Sequence, residues 1–246
     1  MAPHPGEGIL LCASAAWLLH AIVPPIEIGC PTMQKKPAKV PVHRAPPPKQ
    51  VRIIGGLWKR TPLPVLDALG LRPTPDRVRE TVFNWINHLW DADWSAATCL
   101  DLFAGSGALG FEAASRGARA VTLIDSHTPV VRQLDAIKDK LRADNVQVVR
   151  ADALASAQGM ALRGQRYDLV FLDPPYHQDF LSQSLPLCER LLTARGLVYA
   201  EAGAPLPFAP DDGSAAPDWL APWELVRSDK AGTVFYHLLR LRQSAP

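Results

Sequence analysis

The sequence predicts an α/β fold in which helices cover both faces of a mostly parallel sheet of seven strands, closed by a C-terminal antiparallel hairpin. From position 97, short apolar segments alternate with longer segments of helical periodicity, as in strands that are joined by crossover helices. After position 222 this alternation stops, and two strand-like segments flank a Lys-Ala-Gly turn. With 246 residues, 48% of them hydrophobic, the chain can bury one substantial core.

Each predicted strand is a short apolar or β-branched run, and each predicted helix is a longer amphipathic segment. The clearest strand surrounds Val170, Phe171 and Leu172, an uninterrupted apolar run of the kind that parallel strands buried on both faces carry. The sheet is predicted to consist of residues 98–103, 120–125, 146–150, 167–173, 196–202, 223–228 and 233–242. The crossover helices are predicted at 108–116, 129–141, 153–160 and 180–192.

Residues 1–32 differ in composition from the rest of the chain. Residues 9–23 are almost entirely apolar, but this run is short for a membrane span. No Lys or Arg precedes it, whereas a signal peptide begins with a positively charged region. We expect residues 1–32 to be an extension with no working role, of the kind that a misassigned start codon produces. A basic segment begins at Met33.

The basic residues are concentrated in the first third of the chain. Residues 33–82 contain eleven Lys and Arg against three acidic residues, whereas the chain after position 82 holds fifteen basic and nineteen acidic side chains. The net charge of +2 therefore conceals a basic front on a slightly acidic body. Such a front indicates a polyanionic partner such as nucleic acid.

Four cysteines, Cys12, Cys30, Cys99 and Cys188, are scattered, with no C-x-x-C pair and no His at the spacing of a metal site. This pattern argues against a bound metal and against a disulfide framework. We expect Cys99 and Cys188 to be buried as small apolar side chains, and the protein to reside in the reducing cytoplasm.

Residues 51–54 have the pattern of a short strand, and the Gly55-Gly56 pair that follows predicts a turn into an exposed segment at 57–60. The mixture of Trp58 with basic residues in this segment suits contacts to the backbone and bases of RNA. The opposite arrangement, in which Trp58 is tucked into the core, fits the sequence equally well.

A helix is expected to begin at Thr74-Pro75-Asp76, with Thr74 as the N-cap, Pro75 in the first turn and Asp76 placed favourably for the helix dipole. We expect Arg77 and Arg79 to lie on the surface of this helix, free to contact a ligand. Its apolar face is predicted to consist of Val78, Val82, Trp85, Ile86 and Leu89.

A glycine-rich bend joins the first strand of the large sheet to its helix. Gly105 and Gly107 allow the backbone to approach a ligand closely, because neither carries a Cβ. Together with Gly110 they fit G-x-G-x-x-G, a weak pattern that by itself suggests a nicotinamide or flavin dinucleotide. Asp125, at the end of the second strand, suits several cofactors because it could bind the ribose hydroxyls of any adenosine.

Two further acidic residues favour a different cofactor. Asp101 stands four residues before the first glycine, where a carboxylate could bind the positively charged methionine end of S-adenosylmethionine but would repel a pyrophosphate. Asp152, just after the third strand, is placed to accept a hydrogen bond from the adenine amino group, to cap the helix that follows, or to do both. The sequence therefore favours S-adenosylmethionine.

The strongest chemical signal is Asp173-Pro174-Pro175-Tyr176, directly after the apolar run at 170–172. Ligands bind at the carboxyl ends of the strands in an open α/β sheet, and the prolines stiffen the turn there. The Asp173 carboxylate and the Pro174 carbonyl could each accept a hydrogen bond from an amino group, while Tyr176 offers a flat face to a base. This arrangement suits methylation of an exocyclic amine, although a plain strand-to-helix turn has a similar pattern.

The tetrapeptide resembles the (D/N/S)-P-P-(Y/F/W) signature of S-adenosylmethionine-dependent amino-methyltransferases, and the order of the motifs resembles their class I, Rossmann-like members. More narrowly, residues 52–56, 71–85 and 99–107 are similar to the bacterial 16S rRNA guanine-N2 methyltransferases, a likeness that extends over about 51–242. The block 71–85 is the most specific part, because many methyltransferases share the other motifs. The family often has a further acid where His127 stands, so this chain departs from it there.

The resemblance implies a Rossmann-like class I methyltransferase that binds S-adenosyl-L-methionine and modifies 16S rRNA in the small ribosomal subunit or its assembly intermediate. Residues 33–92 would form a basic arm, hairpin and helix for rRNA contact, and residues 93–246 the catalytic domain; we expect a monomer with no membrane contact. The implied catalytic residues are Asp173, Pro174, Pro175 and Tyr176. The implied cofactor-binding residues are Asp101, Phe103, Ala104, Gly105, Gly107, Asp125 and Asp152. The expected RNA contacts are Arg52, Trp58, Lys59, Arg60, Arg72, Arg77, Arg79 and Lys230.

Other functions stay open on the sequence. A DNA adenine-N6 or cytosine-N4 methyltransferase shares the turn chemistry, but it normally carries a target-recognition domain for which this chain has no room. A non-catalytic rRNA-binding assembly factor would keep the fold, but the intact residues 173–176 argue against it. A dehydrogenase is disfavoured by Asp101 and by the same turn.

Overall fold

The computed structural model describes residues 50–66, 74–175, 179–208 and 215–243. The chain divides into two compact units, 1–45 and 46–246, and every described residue belongs to the second. The predictions for the N-terminal extension therefore lie outside the described residues. Within the described ranges, no helix is both long enough and apolar enough to cross a membrane.

The described chain begins with a small antiparallel hairpin and a helix. Strand β1 (Gln50–Arg52) pairs with β2 (Pro62–Pro64), and helix α1 (Asp76–Leu89) follows. The chain bends at Gly55 and Gly56, as predicted, with a Gly56 φ angle of 73°, and it continues through a turn over residues 57–60, where the Arg60 φ angle is 72°. The apolar residues of the hairpin and of α1 belong to the same core cluster as the large sheet.

The loop of this hairpin is fixed to a helix of the large domain by side chains of Glu112 and Ser115. The Glu112 carboxylate accepts hydrogen bonds from the backbone N–H groups of Ile54, at 2.6 Å, and Gly55, at 2.8 Å. The Ser115 hydroxyl donates to the Gly55 carbonyl at 2.6 Å and accepts from Trp58 N at 2.9 Å. Trp58 is half-buried and packs against the core, and its contact with RNA stays a prediction.

The large sheet has seven strands in the order β5-β4-β3-β6-β7-β9-β8. Strands β3 to β7 are parallel, while β9 pairs antiparallel with both β7 and β8. This confirms the predicted α/β fold and its C-terminal hairpin. The strands are β3 (Thr98–Asp101), β4 (Ala120–Asp125), β5 (Val146–Arg150), β6 (Tyr167–Leu172), β7 (Leu192–Ala202), β8 (Trp223–Ala231) and β9 (Val234–Leu241).

Helices cover both faces of this sheet. Alternate residues of one strand enter different core clusters: Phe171 packs on the side of α1, whereas Val170 and Leu172 pack on the opposite side with Cys188. Both Cys99 and Cys188 are buried free thiols, as predicted. The crossover helices are α2 (Ala108–Ser115), α3 (Thr128–Leu141), α4 (Ala153–Leu162) and α5 (Phe180–Glu189), and a short 3₁₀ helix lies at Asp218–Leu220.

The main difference from the predicted boundaries lies between α5 and β7. The helix ends at Glu189, and the strand begins at Leu192, four residues before the predicted start at Gly196. The early start is possible because Leu192 pairs with Tyr167 before a register shift in β6. Tertiary pairing thus overrides the helical pattern at 190–192.

Candidate active site

Three acidic residues meet at the carboxyl ends of adjacent parallel strands. Asp101 is the last residue of β3, Asp173 follows β6 directly, and Glu201 lies near the end of β7. The strands are neighbours in the order β3-β6-β7, and Leu172 pairs with Ala200, which brings Asp173 beside Glu201. The structure thus joins two predicted site residues at one edge and adds Glu201, which the sequence analysis missed.

Thr74 connects two of these acidic residues and does not cap α1. Its hydroxyl lies 2.6 Å from Glu201 Oε1 and 3.3 Å from Asp173 Oδ2. The predicted N-cap role of Thr74 is wrong: Pro75 holds the N-cap position, and no side chain caps the helix there. The reason is that the buried carboxyl group of Glu201 and the partly buried carboxyl group of Asp173 compete for the hydroxyl. Tyr199 also donates to Glu201 Oε1, at 2.8 Å.

The carboxyl group of Asp101 is buried, with 1% of its surface exposed. Burial raises the pKa of Asp101 to about 7; the charges of Asp125 and Glu201 add to the rise, and the backbone N–H groups of Phe103 and Gly110 oppose it. Among the described residues, Asp101 Oδ1 has no hydrogen-bond partner. A buried acceptor of this kind is suited to a cationic group of a ligand.

The carboxyl group of Asp173 is in a similar environment. Burial and the negative charges of Glu201 and Asp101 raise the pKa of Asp173 well above its usual range, and the hydrogen bond with Thr74 lowers it by less. Pro174 is buried and Pro175 is exposed. Tyr176 lies outside the described residues, so its stacking role stays a prediction.

The glycine-rich loop lies directly beside this acidic edge. Gly107 has a φ angle of 77°, and a Cβ there would come within 2.6 Å of Phe111 and 2.7 Å of Leu134, so the loop tolerates only glycine at this position. Gly105 N donates to Asp125 Oδ2 at 3.1 Å. The structure therefore gives Asp125 a role in shaping the loop, in addition to its predicted contact with ribose.

The other predicted cofactor residues take different positions. Phe103 is half-buried, with its ring 5.3 Å from that of Phe180, and Ala104 is buried. Asp152 is exposed and accepts from Ala155 N at 2.8 Å, which confirms it as the N-cap of α4. Its predicted contact with adenine stays a prediction.

His127, which stands where the family often has an acid, contacts Asp125. The Asp125 Oδ1 atom accepts from His127 N at 2.8 Å and lies 3.3 Å from the ring Nδ1 of the same residue. The imidazole is 57% exposed at the edge of the loop. The sequence offered no signal for this contact, because a backbone donor carries no residue preference.

Arg79 is not an exposed RNA-contacting residue, and that prediction is wrong. Its side chain is fully buried; Nη2 lies 2.6 Å from Asp76 Oδ1, Nη1 lies 3.8 Å from Glu112 Oε2, and Nε donates to the Thr74 carbonyl at 3.3 Å. Burial lowers the pKa of Arg79. The guanidinium can be buried because two carboxylates surround it, which helical periodicity alone does not reveal.

The remaining predicted RNA-contacting residues differ in how available they are. Lys59, Arg60 and Arg77 are exposed. Arg52 is 65% exposed but forms an ion pair with Asp76 at 2.7 Å. Two residues complete the set: Lys230 is exposed with its ammonium 4.6 Å from the Phe235 ring centroid, and Arg72 lies outside the described residues.

Comparison with known proteins identifies relatives of this chain. The family model described as Conserved hypothetical protein 95 matches residues 51–240. Ribosomal RNA small subunit methyltransferase D of Escherichia coli (strain K12) is 42% identical over 193 residues, which cover 77% of this chain and 89% of that protein. The solved structure of the Escherichia coli protein yhhF is 39% identical, has a TM-score of 0.65, and covers 80% of this chain and 100% of that chain.

A more distant structure shares the fold alone. SMU.776, solved in complex with SAH, is 17% identical with a TM-score of 0.52, and the match covers 69% of this chain and 50% of that one. The strand order, the glycine-rich loop after β3 and the acidic edge define the class of Rossmann-like, S-adenosylmethionine-dependent methyltransferases. Within this class the chain belongs to the Conserved hypothetical protein 95 family, which confirms the resemblance drawn from its motifs.

Proposed function

We propose that the protein transfers a methyl group from S-adenosyl-L-methionine to the exocyclic N2 of a guanine in 16S rRNA, within the small ribosomal subunit or its assembly intermediate. The proposal rests on one adjacency: Asp101, before the glycine-rich loop, and Asp173, before the two prolines, stand at the carboxyl ends of neighbouring strands of the sheet. The name of the Escherichia coli relative supports ribosomal RNA as the substrate. The SAH bound in SMU.776 supports the cofactor.

The cofactor-side residues fit S-adenosylmethionine. The unpartnered Asp101 Oδ1 would bind the ammonium of the methionine end, the loop at 103–107 would lie against it, and Asp125 would bind the ribose. Asp152 would contact the adenine. When bound, S-adenosylmethionine supplies an electrophilic methyl group: the amine nitrogen donates its lone pair to the carbon, and the C–S electron pair stays with sulfur.

The residues on the substrate side would act by positioning the guanine. The N2 lone pair is delocalised into the ring, so this amine is a weak nucleophile. The Asp173 carboxyl and the Pro174 carbonyl would hold its N–H groups and favour the tetrahedral nitrogen that attack requires. Tyr176 would stack on the base once it is splayed out of the RNA, and positioning of this kind contributes on the order of several kcal/mol.

The basic residues of the hairpin, α1 and β8, together with Arg72, would contact the RNA backbone, and Trp58 would contact a base. They lie on the elements that precede the acidic edge in the sequence and on the C-terminal hairpin, and their charge suits phosphates. In this proposal residues 33–92 serve rRNA contact, residues 93–246 catalyse the transfer, and the protein acts as a monomer in the cytoplasm. The proposed contacts are Arg52, Trp58, Lys59, Arg60, Arg72, Arg77 and Lys230.

The substitution Asp173→Ala tests the proposed roles. We expect single-turnover methyl transfer to small-subunit particles to fall by about 1,000-fold, because the amine loses its principal acceptor. Calorimetric affinity for S-adenosylhomocysteine should stay at the wild-type value, since Asp173 is not among the proposed cofactor contacts. Asp144→Ala, at an exposed carboxylate before β5, is the control and should keep full activity. Full activity of Asp173→Ala would contradict the proposal.

A further inference from the structure

We propose that Asp173 works as a neutral carboxylic acid, and that Glu201 is the positioning residue that keeps its proton in place through the Thr74 hydroxyl. This inference rests on the proposed function, because it assigns a protonation state to the group that would hold the target amine. It adds Thr74 and Glu201 to the residues that determine activity.

The geometry around Thr74 is best satisfied when one of the two carboxyl groups carries a proton. A hydroxyl donates one hydrogen bond and accepts others, so Thr74 cannot donate to Glu201 and Asp173 at once. Its distance to Glu201 Oε1 is 2.6 Å, against 3.3 Å to Asp173 Oδ2, which makes Glu201 the acceptor. If Asp173 were also ionised, its oxygen would face the lone pairs of the same hydroxyl.

A second donor to Glu201 favours Asp173 as the group that holds the proton. Tyr199 donates its hydroxyl proton to the same Oε1 atom at 2.8 Å. Two O–H donors on one oxygen stabilise the ionised form of Glu201. Because Thr74 donates its proton to Glu201, it does not donate to Asp173, and the lowering of the Asp173 pKa that such a donation would cause is absent. Asp173 then brings its own proton and donates it from Oδ2 to the Thr74 oxygen, which leaves its other oxygen free to accept from a substrate.

The charges around Asp173 favour the neutral form. Asp101 on β3 and Glu201 on β7 are both acidic, and together with burial they raise the pKa of Asp173. Among the described residues, Arg79 is a cation on this side; it donates to the Thr74 carbonyl at 3.3 Å, and its Nη2 is bound to Asp76 at 2.6 Å. Its hydrogen bonds are therefore to groups other than the Asp173 carboxyl.

The neighbouring strand β9 supplies no positive charge through its buried histidine. The backbone N–H of Leu206 donates to His237 Nε2 at 3.3 Å, so this nitrogen carries a lone pair. The ring Nδ1 lies 3.4 Å from the carbonyl of Ala200. Burial lowers the pKa of His237, so the imidazole beside Glu201 in the sheet is neutral.

A neutral Asp173 has a defined chemical advantage. Its carbonyl oxygen accepts from the amine while its O–H holds Thr74, so the side chain is fixed at both ends. Asparagine, which the methyltransferase signature allows at this position, presents the same carbonyl oxygen with an amide N–H in place of the O–H. Loss of the proton would place two carboxylates against one hydroxyl, and their repulsion would displace the acceptor oxygen.

Carbon NMR of the full-length protein, with label at the Asp side-chain carboxyl carbon, tests the inference without substrate. The Asp173 resonance, assigned by its loss in Asp173→Asn, should remain that of a protonated carboxyl at pH values well above the ordinary Asp value of about 4. In Glu201→Gln its titration should move down by about one to three pH units, because a neighbouring negative charge is gone. A resonance that titrates near pH 4 in the wild type, or that Glu201→Gln leaves unmoved, would overturn the inference.

Single-turnover rates give a second readout. We expect the wild-type rate to fall with rising pH as Asp173 ionises. The fall should begin at lower pH in Glu201→Gln and in Thr74→Val. Thr74→Ser, which keeps the hydroxyl, should have the wild-type pH profile. Asp173→Asn should keep activity within about 10-fold of the wild type, with no fall at high pH, whereas Asp173→Ala should lose about 1,000-fold. An Asp173→Asn variant as inactive as Asp173→Ala would count against the neutral acid.

A matched control lies at the opposite end of the same strand. Asp168, in β6, accepts from the Thr98 hydroxyl and from the Thr193 hydroxyl, each at 2.9 Å. Asp168→Asn removes a charge from a similar threonine-carboxylate group and should change neither the Asp173 resonance nor the pH profile. If the wild type methylates no guanine while Asp173 stays protonated, the proposed function fails and the protonation state stands.

Discussion

At the scale of single residues, Asp101 illustrates the cost of placing a carboxyl group inside a protein. Its Oδ1 atom is buried without a partner among the described residues, and burial raises its pKa to about 7. The folded protein therefore holds a proton there that the unfolded chain releases above its ordinary pKa. A cationic ligand would offset this cost, as expected at a binding site whose electrostatics are incomplete until the ligand arrives.

This shift predicts a pH dependence of stability without cofactor. The pKa of Asp101 is raised from 3.8 to about 7. Its contribution to the free energy of unfolding is therefore fully present below about pH 4 and is lost as the pH rises through about 7. The difference in free energy of unfolding between Asp101→Asn and the wild type should increase in favour of the variant by about 4 kcal/mol over this range. Urea denaturation at a series of pH values measures it, and a constant difference would show that Asp101 titrates normally.

A backbone position in the hairpin gives a second prediction. Gly56 has a φ angle of 73°, and a Cβ there would overlap the carbonyl of Ser115, so Gly56→Ala should lower the free energy of unfolding by about 3 kcal/mol or more. Gly164 has a φ angle of 70° but nothing within 4 Å of such a Cβ, so Gly164→Ala should cost only about 1–2 kcal/mol. Equal losses in urea denaturation would mean that the contact with α2 is unimportant.

The sequence predicted only those site residues whose position follows from the end of a recognisable strand. Asp101 and Asp173 each end an apolar run, so their position at one edge of the sheet could be inferred. Thr74 and Glu201 could not, because their contact joins positions 127 residues apart and depends on which strands are neighbours. Arg79 was misplaced for the same reason: its buried partner Glu112 comes from another helix.

At the scale of elements, Glu112 is the link between the hairpin and the large domain. It accepts from two backbone N–H groups of the hairpin loop and lies 2.8 Å from Arg116 Nε and 3.8 Å from Arg79 Nη1. Its side chain is fully buried. The Glu112 carboxylate therefore holds the basic hairpin and also contacts Arg79 in the first turn of α1.

Removing Glu112 should loosen this connection. We expect Glu112→Ala to lower the free energy of unfolding by about 3–5 kcal/mol, because two arginines and two N–H groups lose a buried acceptor. Hydrogen exchange should show the hairpin amides opening more readily. Glu224→Ala, which breaks an exposed ion pair with Arg240, is the control and should leave both measurements near wild type. Unchanged hairpin exchange in Glu112→Ala would contradict the anchoring role.

The elements with strong local patterns were the ones that the sequence predicted well. Strands β4 and β5 have the predicted bounds, because each is a continuous β-branched or apolar run between polar turns. The beginning of β7 was missed, since residues 192–195 lack that pattern and join the sheet by pairing with β6. Local periodicity reports which face is apolar, but it does not report which neighbours are available for pairing.

At the scale of the whole molecule, the basic front indicates how the RNA would be held. Lys59 of the hairpin and Arg77 of α1 are exposed and come from different elements. Replacing both with alanine should weaken binding to small-subunit RNA and reduce the dependence of log affinity on log salt by about 2, one for each lost phosphate contact. Lys140→Ala, on the exposed part of α3, is the control and should change neither. An unchanged salt dependence in the double variant would place the RNA elsewhere.

The overall architecture was the part that the sequence predicted most completely. Alternation of strands and helices fixes a right-handed, mostly parallel sheet, and the final two strands fix its antiparallel edge. The order of the strands brings the glycine-rich loop and the acidic turn together, and the position of Glu201 follows only from that order. The sequence patterns thus predict the sheet, but the contact of Glu201 with the site becomes evident only when the strand order is known.

The most direct test of the central claim is the identity of the modified nucleoside. The purified protein is incubated with methyl-labelled S-adenosylmethionine and either small-subunit particles from cells that lack it, naked 16S rRNA, or DNA. Labelled nucleosides are then identified by mass spectrometry. We expect N2-methylguanosine in the ribosomal RNA. Label in N6-methyladenine or N4-methylcytosine of the DNA, or no label in a single turnover, would contradict it.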